Sequence, residues 1–143
     1  MTPETQSNFE QLLPHRPPML MLTAMLEQDA DNVHCSSVIA ATNPLLSDGL
    51  FPVMGGVELL AQAAGTLFGA RAPGNATRPG AIVQVKSFQV TPLDIPVGAE
   101  LHIHARYQAG TAEAALFEGE VMFGEQRFFT GTLMIALLPE DAG

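Results

Sequence analysis

Residues 50–69 read LFPVMGGVELLAQAAGTLFG, and this run constrains the fold more than any other part of the chain. From Val57 to about residue 71 it is rich in Ala and Leu and free of proline. Arg71 falls in the last turn and Pro73-Gly74 follows. These signals predict a helix of about four turns. Its apolar residues go almost all the way round, so it has to be enclosed by other elements rather than rest on a surface. Glu58 is then an ionisable group in a buried setting, where an unpartnered carboxylate costs several kcal/mol or becomes neutral.

Strands supply the enclosure. MLMLTAMLEQ (19–28) and NVHCSSVIAA (32–41) flank the polar turn DAD and read as a hairpin. ELHIHARY (100–107) alternates strictly, with Leu101, Ile103, Ala105 and Tyr107 on one face and Glu100, His102, His104 and Arg106 on the other, a face expected to meet water. Residues 113–123 alternate as well. Residues 126–138 are apolar on both sides after Arg127 and read as a central strand, and AIVQVKSFQVT (81–91) breaks its alternation near Ser87, which predicts a bulge. TNPLLSDGLFPVMGG (42–56) is a loop, and NFEQLLP (8–14) is a short helical turn stopped by Pro14. One buried helix with about six strands predicts a single α+β domain over residues 1–143, an antiparallel sheet wrapped around one long central helix.

Composition narrows the function. The net charge of -9, with no Lys/Arg block, opposes binding to nucleic acid or anionic lipid. Cys35 is the only cysteine, which excludes an intrachain disulfide and a multi-thiolate zinc site and suits a reducing compartment. The N-terminus lacks signal-peptide features, and no apolar run is read as approaching the roughly 20 residues that span a bilayer, so a cytoplasmic protein is expected.

At 3.6 residues per turn Glu58, Gln62, Gly65 and Gly69 share one stripe, polar or small, where a partner helix or a ligand can approach. Gly55 and Gly56 precede the helix, and backbone N–H groups there favour a partial negative charge such as a carbonyl oxygen. Two readings of Glu58 stand side by side. It is an acid in a first helical turn, held by neighbouring N–H groups, or an acid/base group acting beside that carbonyl.

LLPHRPPMLML (12–22) and FPVMGGVELLAQAAG (51–65) resemble the hot-dog-fold 3-hydroxyacyl-[acyl carrier protein] dehydratases, most closely the dehydratase-like branch associated with aryl polyene biosynthesis. The resemblance implies a hot-dog fold and removal of water from a 3-hydroxyacyl thioester on acyl carrier protein or coenzyme A. It implies Glu58 as the helix acid, followed by Gln62 in E-x-x-x-Q-A spacing, and Pro52, Gly55, Gly56 and Gln62 as substrate-binding. No cofactor and no metal are implied.

The chain departs from that family where a His-Phe-Pro-Gly motif is usual: it has Leu50, Phe51 and Pro52, with no histidine between residues 35 and 101. Thr23 and Ala24 stand where Asp and Arg are usual. A base with a pKa near neutrality is then missing. His15, in a proline-stiffened segment, is the other catalytic candidate, against a reading as a structural histidine. His102 and His104 share a strand face but lack an evident third metal ligand. The alternatives to the dehydratase are a hot-dog acyl thioesterase or a non-catalytic acyl-binding subunit. The expected assembly is a homodimer, or a heterodimer with a related hot-dog chain, sharing a pocket at Glu58.

Overall fold

The computed structural model describes residues 19–71 and 80–137. The predicted turn at 8–14, His15, and the helix stop at Pro73-Gly74 lie outside the described residues. Strands β1 (Ala24–Gln28) and β2 (Asn32–Val38) come first. A 3-10 turn, Val53–Gly55, runs into helix α1 (Gly56–Arg71), and β3 (Gly80–Val90), β4 (Glu100–Gly110), β5 (Ala114–Phe123) and β6 (Gln126–Leu137) follow. They form one six-stranded sheet in the order β1-β2-β4-β5-β6-β3, antiparallel throughout.

Helix α1 crosses the inner face of β2, β4, β5 and β6. Leu59, Leu60, Ala63, Ala64 and Leu67 are fully buried against it, together with Leu101, Ile103, Ala105, Phe117 and Val121 from the strands. The approach is close because β5 carries Gly119 under the helix, where an added Cβ would lie 2.5 Å from Leu60 Cδ1 and would collide with the His104 carbonyl. As read from the sequence, β6 is central, between β5 and β3. The β3–β6 register shifts between Val85 and Ser87, where a bulge was expected, and also between Ile82 and Gln84. The 29–31 turn is held by Asp29 Oδ1, which accepts from the N–H groups of Asp31 and Asn32.

Four expectations need correction. The first strand begins at Ala24 rather than residue 19, because the backbone of Met19 and Met21 bonds the Gln62 side chain. The helix is not covered evenly: Gln62 and Gly69 are buried, and the half-buried face runs through Val57, Glu58, Ala61 and Gly65. The outer face of β4 is not simply solvated, since His102, His104 and Arg106 are half-buried in a polar network. Finally, the helical run Val53–Arg71 has 19 residues and is long and apolar enough to cross a bilayer by length and composition. Here 61% of its most apolar window is buried inside the fold, as in a core helix.

Among the described residues, edge strand β3 pairs with β6 alone and exposes Val85, Phe88 and Val90. An edge strand of eleven residues with three exposed large apolar side chains is a template for pairing with another sheet.

Candidate active site at the start of the central helix

The loop before α1 is pinned before it reaches the helix. Ser47 and Leu50 close a tight turn whose central residues, Asp48 and Gly49, have φ of 53° and 78°, the conformation that Asp-Gly adopts most readily. Leu50 then bridges to Pro96, and Phe51 N–H donates to Ile95 O at 2.8 Å. Phe51 is buried beneath Gly55, where a Cβ would meet its ring at 2.5 Å. Gly56 is packed as tightly on Phe129, at 2.6 Å from Cβ. Both glycines are therefore required by packing.

Their N–H groups are also engaged. Gly55 donates to Pro52 O at 2.8 Å and Gly56 to Val53 O. The first N–H groups of the helical run with no acceptor inside it are those of Val53 and Met54, so the positive end of the dipole lies one step upstream of the glycines. Pro52, half-buried at the N-cap, contributes its carbonyl to the turn.

Glu58 is half-buried in the first turn of α1. Gln62 Nε2 donates to Glu58 Oε1 at 3.0 Å and to Met19 O at 2.7 Å, while Gln62 Oε1 accepts from Met21 N–H at 2.9 Å. Both amide protons are used, and the side chain is fully buried. A flipped amide would lose all three bonds, so the orientation of Gln62 is fixed by its surroundings. Gln62, read from the sequence as substrate-binding, is placed to orient Glu58. Ser37 Oγ donates to Met21 O at 2.6 Å, a contact the sequence reading missed. The available signal was a serine at a core-facing position of β2, between Cys35 and Ile39.

The described histidines lie on the other side of the sheet. His34 Nε2 is 2.8 Å from His102 Nδ1, and the His34 and His104 rings stack at 4.0 Å. Burial, followed by the neighbouring His104 and His102, lowers the pKa of His34. Stacked rings hold their lone pairs parallel rather than convergent, and among the described residues no group of three His, Cys, Asp or Glu side chains has the geometry to hold a metal ion. Arg106, on the same face, bonds Glu118 at 3.1 Å and Glu120 at 2.6 Å. Its guanidinium holds the Glu120 carboxyl below the usual range. Arg71 is engaged by Ala30 O and Asp31 and lies over the Tyr107 ring. The described arginines with ion pairs are thus dispersed over two faces.

A six-stranded antiparallel sheet wrapped around one helix, with an acid in the helix's first turn, defines a hot-dog protein. The sequence model of the ApeP dehydratase matches residues 7–142, and the chain belongs to this ApeP-like dehydratase family. No curated protein matches the sequence. Among solved structures the chain is similar to the dehydratase heterocomplex ApeI:P from Xenorhabdus doucetiae, with TM-score 0.82 and 22% identity over 98% of this chain and 93% of that one. It is also similar to the uncharacterized protein PH1136 from Pyrococcus horikoshii, with TM-score 0.65 and 14% identity over 98% and 97% of the two chains. A third is smu.793 from Streptococcus mutans bound to acetyl CoA, with TM-score 0.61 and 14% identity over 80% and 86%.

Proposed function

We propose that the chain dehydrates 3-hydroxyacyl thioesters carried on acyl carrier protein, at a site shared with a second hot-dog chain. The observation that carries this is the Glu58 carboxylate, set in the first helical turn by Gln62 at 3.0 Å on the half-buried, small-residue face of α1. The thioester carbonyl is held by N–H groups at the start of the helical run, which stabilise the charge that develops on its oxygen. A base removes the C2 proton. Glu58, in its protonated form, gives its proton to the C3 hydroxyl, water leaves, and the C2=C3 bond forms with the thioester intact, the C2 proton staying on the base.

His34, His102 and His104 are separated from Glu58 by the sheet, so the base comes from elsewhere. His15 is one source: it lies four chain steps before Met19, a reach of at most about 14 Å, and Met19 O bonds the same Gln62 that holds Glu58. A partner chain is the other. The exposed apolar edge of β3 supports such a partner, as do the heterocomplex formed by the ApeI:P neighbour and the absence of a loop histidine. Thioester chemistry is in keeping with the acetyl CoA bound by the smu.793 neighbour.

The test is conversion of 3-hydroxyacyl thioesters, on carrier protein and on coenzyme A, by wild type, Glu58→Gln and His15→Asn, each with and without a dehydratase-like partner. Loss of at least a hundredfold in Glu58→Gln is expected. Equal rates in wild type and Glu58→Gln remove Glu58 from the mechanism, and release of free thiol identifies a thioesterase instead. Activity that appears only with the partner assigns this chain to a shared site.

A further inference from the structure

We infer that Ser37, on a strand remote from the reacting atoms, is a positioning residue for Glu58. The inference rests on the proposed role of Glu58 and extends it to a relay of four residues drawn from three parts of the chain. Ser37 Oγ donates to Met21 O at 2.6 Å, Met21 N–H donates to Gln62 Oε1 at 2.9 Å, and Gln62 Nε2 donates to Glu58 Oε1 at 3.0 Å. Ser37 and Gln62 are both fully buried, and Met21 is 5% exposed, so solvent does not substitute for the two bonds that Met21 makes.

The Met21 residue is the hinge of the relay. Its carbonyl is gripped from β2 and its N–H is spent on α1, so the peptide planes on either side of it cannot rotate without breaking a buried bond. The segment Leu20–Leu22 precedes the β1–β2 pairing, which begins at Ala24. The residue after it is tied to β2: Thr23 N–H donates to Ser36 O, and Val38 N–H donates to Thr23 Oγ1. A serine among the core-facing residues Val33, Cys35 and Ile39 costs burial of a hydroxyl, and its single bond goes to Met21 O.

Without the Ser37 hydroxyl, Met21 O is left unsatisfied and the segment shifts to find another donor. Met21 N–H then no longer acts with Met19 O to fix the orientation of the Gln62 amide, and the donor that favours the ionised form of Glu58 is weakened.

The experiment compares Ser37→Ala and Ser37→Thr with wild type, reading the carboxyl carbon of Glu58 by NMR across pH together with dehydration rates. In Ser37→Ala the Glu58 titration is expected to move to higher pH, and kcat to fall about tenfold because the carboxyl loses its fixed orientation toward the C3 hydroxyl, the scale of one charge-assisted hydrogen bond, with KM unchanged. Ser37→Thr, which keeps the hydroxyl, is expected to restore both. In a Gln62→Met background, Ser37→Ala is expected to add little to the loss. A Glu58 titration that does not move in folded Ser37→Ala overturns the inference, as does full additivity with Gln62→Met. The titration needs no turnover: if wild type fails to dehydrate any substrate, the functional reading falls while the relay is still decided by the carboxyl shift.

Discussion

His34 Nε2 lies 2.8 Å from His102 Nδ1, and the same His34 ring stacks on His104 at 4.0 Å, so three titratable rings from two paired strands share one patch on the outer face. Glu27 is the register partner of His34, His102 Nε2 is 3.5 Å from Glu100, and Glu120 is the register partner of His104. Burial and the two neighbouring rings lower the pKa of His34 from its ordinary 6.5. The unfolded chain therefore binds the proton more readily, and stability is fully present above pH 6.5 and is lost as pH falls from there toward the lower folded value. Denaturant midpoints at pH 7.5 and pH 5 should show this drop. His34→Gln should flatten it, since the lowered Glu120 and Asp29 carboxyls act only below the carboxylate range.

Gly119→Ala is expected to destabilise the fold by about 1–3 kcal/mol or more, because the new methyl meets Leu60 Cδ1 at 2.5 Å and the backbone of β4. The backbone has no room to yield. Urea unfolding measures the loss, and a midpoint unchanged from wild type would show that α1 does not sit on β5 as described.

Cys35 is fully buried and its thiol is pushed up to about 12 by burial. The reactive thiolate is then almost absent near neutrality. A chromogenic disulfide reagent should leave the native protein unmodified for hours and titrate one thiol in denaturant. Rapid native labelling would mean that β2 opens on that timescale.

Phe88→Lys places a charge in the exposed apolar edge of β3, where Phe88 is 49% exposed and stacks on Phe129 at 6.2 Å. If assembly uses this edge, the variant should shift the mass seen by light scattering from dimer toward monomer with little change in the unfolding midpoint. An unchanged oligomer would place the interface elsewhere.

The sequence by itself determined the order of the described elements, the central place of β6 and the enclosure of one helix, because periods of 2 and 3.6 residues report directly which faces must leave water. It also marked Glu58, since an ionisable residue in so apolar a run stands out without any structure. The sequence misjudged what surrounds that residue. Residues 19–22 read as strand because their apolar content is the same whether the backbone bonds a neighbouring strand or a buried Gln62. Nor does the pattern show Phe51 and Phe129 pressed against Gly55 and Gly56. His34 lies 68 residues from His102 and Ser37 lies 16 from Met21. Such juxtapositions follow from strand register and from the path of the chain around the helix, and only the tertiary structure decided them.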